Sequence, residues 1–211
     1  QPVPGGTWAS AANLNTAGTN AGGATAGTQT AALIFAGDRP GRVTATEKYD
    51  GSSWTTVNAM STARNNLGGA GITTSALGFG GGTPSYTNAT EEYDGTNWTN
   101  GGNLNTARQT TGAGASNSSA LAVGGYDPGA VTDAVEQYNG TAWTEIAEIN
   151  TARYIINNTG TVTAMLGAGG QPHNASVESW DGTSWSETTD LGTAKSGGYN
   201  SGTQGAALYS G

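Results

Sequence analysis

Four basic side chains recur at near-constant spacing. Arg64, Arg108, Arg153 and Lys195 each close a Thr-Ala-basic phrase, and Gly18 stands at that place in an earlier copy. They are four of the seven Lys and Arg residues in the chain. Arranged at one height around an axis, they would form a broken cationic ring suited to an anion or a sugar acid. A carboxylate recurs as regularly, at Glu47, Glu91, Glu136 and Glu178. The competing reading is ion pairing inside the fold, with each basic residue meeting an acidic one and locking neighbouring repeats together.

Other chemistry is scarce. The single histidine, His173, sits in the Gly-, Pro- and Asn-containing stretch GGQPHNAS and occurs in one copy only, the pattern of a solvated loop residue. There is no cysteine, which removes disulfides, thiol catalysis and zinc–thiolate sites. No Ser-His-Asp order, clustered carboxylates with metal spacing or phosphate-cradling loop before a helix is found. The GFGGG run ends a strand by its place in the repeat. These features predict no enzyme, no cofactor and no metal. Six Asn-x-Ser/Thr sequons, at Asn88, Asn97, Asn117, Asn139, Asn157 and Asn174, scarcely exceed accident in so Ser- and Thr-rich a chain.

The elements that must position these residues are strands. The 211 residues include 36 glycines and only 10% charged residues; Gly, Thr, Ser and Asn are poor helix formers and good turn and strand residues. A formal net charge of −8 leaves no basic face for nucleic acid. No apolar run approaches the roughly 20 residues that span a bilayer, so no membrane insertion is expected. Gln1 in place of an initiator Met points to a trimmed or partial chain, and no signal-like segment follows it.

Trp8, Trp54, Trp98, Trp143 and Trp185 lie 46, 44, 45 and 42 residues apart. Each follows, or could close, a hairpin: TEKYDGSSWT, TEEYDGTNWT, VEQYNGTAWT and VESWDGTSWS. After each Trp come the Thr-Ala-basic phrase and then a small-residue run ending in glycines, such as SALGFGGG. The turn sets Tyr49 opposite Trp54, Tyr93 opposite Trp98, Tyr138 opposite Trp143 and Trp180 opposite Trp185. Such aromatic pairs contribute roughly 0.2–1 kcal/mol each and fix register. Gly51 suits a type II′ turn, with the preceding Asp or Asn bonding back to the backbone.

Four strands in a period near 44 residues point to a β-propeller. The order double glycine, Tyr, Trp, basic residue resembles the kelch repeat, found also in the central domain of galactose oxidase. The resemblance covers essentially the whole chain. It implies that the strand after the basic residue lies nearest the axis, followed by the Gly-ended, Tyr and Trp strands outward. Gly80-Gly81, Gly124-Gly125 and Gly169-Gly170 would close second strands, with Ala36-Gly37 a variant. The expected fold is all-β: one five-bladed propeller of four-stranded kelch-like blades over residues 1–211. Its repeat units run approximately 8–53, 54–97, 98–142, 143–184 and 185–211, the ring being closed by the N-terminal outer strand 7–14. The last unit then lacks a full third strand, because residues 1–6, QPVPGG, hold two prolines. The copper chemistry of galactose oxidase needs two histidines and a cysteine crosslink, which this chain lacks. A sialidase Asp-box separates Asp from Gly by one residue, whereas the two are adjacent here.

Low-charge repeats of this kind resemble those of structural proteins in marine tailed phages and of bacterial surface proteins. The resemblance implies a non-catalytic structural or surface-display propeller in a virion or extracellular assembly, partnered by itself or other structural proteins. The alternative is a glycan-binding module for attachment, with Arg64, Arg108, Arg153 and Lys195 as anion or glycan contacts. The loops DRPGRVTA, TPSYTNA, YDPGAVTDA and QPHNAS differ in length and chemistry, which favours the scaffold. Tyr86, Tyr126, Tyr154 and Tyr199 are scattered relative to the repeat, as loop or inter-repeat packing would have them.

Overall fold

A computed structural model describes residues 10–154 and 157–210. It is all-β, and its strands fall in the expected order. The first sheet holds Gly22–Gly23 (β1), Ala32–Phe35 (β2), Thr46–Tyr49 (β3) and Trp54–Val57 (β4). The second holds Gly68–Ile72 (β5), Ser75–Phe79 (β6), Thr90–Tyr93 (β9) and Trp98–Asn100 (β10), with a small hairpin, Gly82–Thr83 (β7) and Ser85–Tyr86 (β8), between its inner pair and its outer pair. The third comprises Gln109–Ser116 (β11), Ser119–Tyr126 (β12), Val131–Tyr138 (β13) and Trp143–Ile146 (β14). The fourth comprises Asn157–Thr161 (β15), Ala164–Ala168 (β16), Val177–Trp180 (β17) and Trp185–Glu187 (β18). Tyr199–Thr203 (β19) and Ala206–Ser210 (β20) form a fifth, two-stranded sheet.

Pairing is antiparallel throughout, and all four aromatic hairpin pairs stand in the expected register. Their ring centroids are 5.0–5.4 Å apart. At the first corner Asp50 Oδ1 accepts the backbone N–H groups of Ser52 and Ser53 at 2.8 Å. Asp94, Asn139 and Asp181 do the same in the other three. Gly51 sits at φ +98°, where a side chain would be strained.

Successive sheets pack through their inner strands, β1 on β5, β5 on β11, β11 on β15 and β15 on β19. The contact is close to backbone on backbone: a Cβ on Gly69 would lie 2.2 Å from the Gly23 carbonyl oxygen. Hydrophobic side chains fill the spaces between neighbouring sheets rather than one central core. Phe35 and Leu33 of the first sheet pack with Ala76 and Tyr93 of the second. Leu77 and Phe79 pack with Tyr138 and Trp143 of the third. Leu121, Val123 and Val135 pack with Met165, Trp180 and Trp185 of the fourth.

The outer Trp of the second and of the third sheet also reaches back to the preceding sheet. Trp98 Nε1 donates to Thr46 Oγ1 at 3.0 Å, and Trp143 Nε1 donates to Thr90 Oγ1 at 2.9 Å. Their rings meet Phe35 and Phe79 at 4.9 Å. In the next copy Val123 and Val135 replace Phe and Thr, and Trp185 Nε1 is left buried without a partner.

Of the closing strand expected at 7–14, residues 7–9 lie outside the described residues, and residues 10–14 are not in a strand. Within residues 10–14 the Ala12 carbonyl accepts from Trp54 Nε1 at 3.1 Å. Each of the four four-stranded sheets runs from an inner strand to the next Trp strand, so the repeat units begun at Trp54, Trp98, Trp143 and Trp185 each span two sheets.

Candidate functional site

The recurring cations do not form an open ring. The expectation of anion or glycan contacts at Arg64, Arg108 and Arg153 is corrected by burial: all three side chains are 0% exposed and ion-paired. Arg64 Nη2 meets Glu91 Oε1 at 3.0 Å, Arg108 Nη1 meets Glu136 Oε1, and Arg153 Nη2 meets Glu178 Oε1 at 2.9 Å. The second oxygen of each carboxylate accepts the backbone N–H three residues before the arginine, from Ser61, Asn105 and Asn150 at 2.6–2.8 Å. One Glu therefore holds both ends of each Ser/Asn-Thr-Ala-Arg turn. That turn connects two sheets, so the clamp fastens the crossover to the third strand of the sheet it enters.

The arginine backbone completes the joint. The second glycine of each pair donates to the basic residue of the next copy: Gly37 to Arg64 at 2.8 Å, Gly81 to Arg108 at 2.9 Å, Gly125 to Arg153 at 3.0 Å and Gly170 to Lys195 at 2.9 Å. Gly81 needs a left-handed backbone, at φ +97°, and a Cβ there would lie 2.6 Å from the Asn65 carbonyl oxygen. Double glycine and arginine are thus two halves of one inter-sheet joint. Burial pulls Arg64 and Arg153 below the ordinary guanidinium value, opposed by Glu91 and Glu178. Buried nitrogens remain unbonded on these arginines, among them Arg64 Nε and Arg108 Nη2. Buried pairs of this kind give little net stability, and what they supply is geometry.

The first copy solves the same problem with another residue. Gly18 stands at the basic position, and Arg39, from the loop after β2, pairs with Glu47. Its side chain is 4% exposed, and a Cβ on Gly18 would lie 2.8 Å from Arg39 Cγ. The Asn15 N–H still reaches Glu47 Oε2 at 2.7 Å. Sequence reasoning missed Arg39 because it lies outside the repeated phrase; Gly18 in a basic slot, with Glu47 retained, was the available signal.

Lys195 differs from the three arginines. Its backbone bridges to Asn174 and Gly170, yet its half-buried side chain has no ion pair among the described residues. In the other copies the carboxylate comes from a third strand, and among the described residues the fifth sheet has two strands. There Leu208 is 60% exposed, whereas its counterparts Leu33, Leu77 and Leu121 are at most 3% exposed; Tyr199 is 81% exposed. The fifth sheet is nevertheless tied to the fourth. Thr159 Oγ1 donates to the Gly202 carbonyl at 2.6 Å, and Gln204 Nε2 donates to the Trp180 carbonyl at 2.5 Å.

Two further features face solvent. A cavity of about 430 Å³ lies between the inner strands, lined by residues of all five units, including Thr19, Gly68, Thr111, Asn157 and Tyr199. Among the described residues no charged side chain lines it. Around the end of β12, three of the tyrosines expected to be scattered come together. The ring of Tyr126 lies 5.9 Å from that of Tyr86 and 5.5 Å from that of Tyr154, each half-buried. His173 is exposed, its Nε2 3.3 Å from Ser196 Oγ. Among the described residues no group of three or more His, Cys, Asp or Glu is placed to hold a metal, and no helix is long and apolar enough to cross a membrane.

Radially packed four-stranded antiparallel sheets, joined inner edge to inner edge, fit a β-propeller. Among solved structures, the one titled "Structure of YjhT" superposes on this chain with a TM-score of 0.73, covering 89% of this chain and 70% of that one. At 13% sequence identity the likeness shows the fold alone. No family model and no curated protein matches the chain.

Proposed function

We propose that this chain is a non-catalytic structural or display propeller of five kelch-like units, which associates with neighbours in a virion or extracellular assembly. The observation that carries this reading is that the recurring arginines Arg64, Arg108 and Arg153 are taken up by ion pairs and carbonyls inside the joints between sheets. The test is native mass against concentration, by light scattering and native mass spectrometry. Association that grows with concentration supports the proposal. A 21.0 kDa monomer at every concentration overturns it for the isolated chain.

A second reading, glycan binding, is favoured by the tyrosine cluster. Tyr86, Tyr126 and Tyr154 form an aromatic surface across three successive units, and aromatic rings stack on the apolar faces of sugars. A glycan screen in which Tyr126→Ala abolishes the signal supports it; binding indifferent to that change removes it.

A further inference from the structure

Three of the four hairpin corners read Asp-Gly, at Asp50, Asp94 and Asp181, and the corner at Asn139-Gly140 alone reads Asn-Gly. The backbone does not distinguish them. In all four the side-chain Oδ1 accepts the N–H groups two and three residues on, and the glycine holds φ between +93° and +98°. A carboxylate therefore fits the fourth corner as it fits the others, and the amide is the chemical exception.

The amide carbon of Asn139 is an electrophile beside the backbone nitrogen of Gly140, and the corner leaves the parts of that reaction free. Asn139 is exposed. Among the described residues neither its Nδ2 nor the Gly140 N–H makes a hydrogen bond, so leaving group and nucleophile are both unengaged. Gly140 carries no side chain to screen its nitrogen. Asn139 Oδ1 meanwhile accepts from the N–H groups of Thr141 and Ala142 at 3.0 Å each. Two N–H groups aimed at a carbonyl oxygen stabilise the oxyanion that forms when that carbonyl is attacked. The other Asn-Gly of the chain, Asn100-Gly101, sets the same covalent chemistry in a different frame. Asn100 pairs with Glu91 at the end of β10, and Gly101 donates its N–H to the Thr90 carbonyl at 3.0 Å. There the nucleophile is bound.

We propose that Asn139 is a self-modification site, at which the Gly140 nitrogen displaces the side-chain amide through a cyclic imide and leaves an acidic residue. The Gly140 nitrogen passes its proton to hydroxide and bonds to Asn139 Cγ. The Cγ–Nδ2 bond breaks, and Nδ2 leaves as ammonia with a proton from water, which regenerates hydroxide. Water then opens the imide and the nitrogen takes a proton back. One water is consumed and one ammonia released, with nothing oxidised or reduced. Opening at Cγ gives the aspartate of the other corners; opening at the Asn139 main-chain carbonyl gives its isoaspartyl isomer. The aspartate is an end point at neutral pH. The same N–H groups hold Asp50, Asp94 and Asp181 ionised, and a carboxylate offers the neighbouring nitrogen no leaving group.

The experiment incubates the full 211-residue chain, freshly prepared, in mildly alkaline buffer and follows amide loss by peptide mapping. Tryptic cleavage after Arg64, Arg108 and Arg153 places Asn100 and Asn139 in separate peptides, and fragment masses locate the change. In the folded chain Asn139 is expected to convert at least about tenfold faster than Asn100. In guanidinium chloride, where corner and strand are both lost, the two rates are expected to converge. Mixed aspartyl and isoaspartyl products mark the imide, because direct hydrolysis gives aspartate alone. Equal rates in the folded chain, or faster loss at Asn100, overturn the proposal. Conversion of Asn139 only in the unfolded chain, or aspartate as the sole product, overturns it as well.

Discussion

Val135→Thr should make this protein more stable, although it introduces a hydroxyl into a position that is 1% exposed. In two neighbouring joints a threonine at this place accepts from the indole of the next sheet, Thr46 from Trp98 and Thr90 from Trp143. Val135 is the third member of the series, and Trp185 Nε1 is buried there without a partner. A buried N–H left unpaired costs about 1–3 kcal/mol. Exchanging a methyl for a hydroxyl forfeits about 0.8 kcal/mol of apolar burial. Subtracting the second from the first leaves a gain of about 1 kcal/mol, or about 2–4 °C in Tm for a chain of this size. Thr90→Val runs the exchange backwards, orphans Trp143 Nε1, and should lose about the same amount. Urea unfolding followed by tryptophan fluorescence and far-ultraviolet circular dichroism measures both, with an unchanged m-value as the check that only stability moved. If Val135→Thr is destabilising, or the two variants shift in the same direction, the indole bond is not what sets these positions.

The arginine clamp gives an asymmetric pair of expectations. Arg108→Met strands a buried Glu136 and should cost about 3–5 kcal/mol, while Arg108→Met with Glu136→Met should recover much of the loss; equal loss in both would refute the pairing argument. Arg39→Met should behave like Arg108→Met despite lying outside the repeated phrase, and chemical denaturation decides it. Gly81→Ala forces a side chain into a left-handed backbone and against the Asn65 carbonyl, so stability should fall by at least about 1 kcal/mol. The hairpin corners set a pH dependence. The backbone N–H groups of Ser53 and Ser52 hold Asp50 down to about 2, and those of Asn97 and Thr96, and of Ser184 and Thr183, lower Asp94 and Asp181 in the same way. A carboxylate with a depressed folded pKa contributes stability above its unfolded value, near 3.9, and that contribution is lost as pH falls toward about 2. Stability should therefore decline over that window. Asp50→Asn, Asp94→Asn and Asp181→Asn together should flatten the decline, since Asn139 already makes the same bonds without a charge.

The repeat, the strand order and the hairpin register were legible in the sequence, because turn chemistry and cross-strand aromatic pairing act within about ten residues. The Glu and Arg positions were legible as well, but not their state. A ring of free cations and a set of buried pairs have the same spacing along the chain. Only the packing of one sheet against the next removes water from Arg64, Arg108 and Arg153, whose carboxylates lie 25–28 residues away. Arg39 was illegible for a related reason: its side chain enters the clamp from a loop, and space rather than sequence position makes it equivalent to the missing cation at Gly18. The meeting of Tyr86, Tyr126 and Tyr154 likewise depends on where loops of different lengths end.

What the sequence by itself determined is the unit: four short antiparallel strands, their order, and the hairpin corner that sets their register, all consequences of local bonding. What only the tertiary structure decided is which charged groups are buried in joints between units. Burial is a property of what a neighbouring sheet covers. Three neighbours cover the arginines, and for the side chains beside Lys195 and Leu208 no third strand is present among the described residues to do the same.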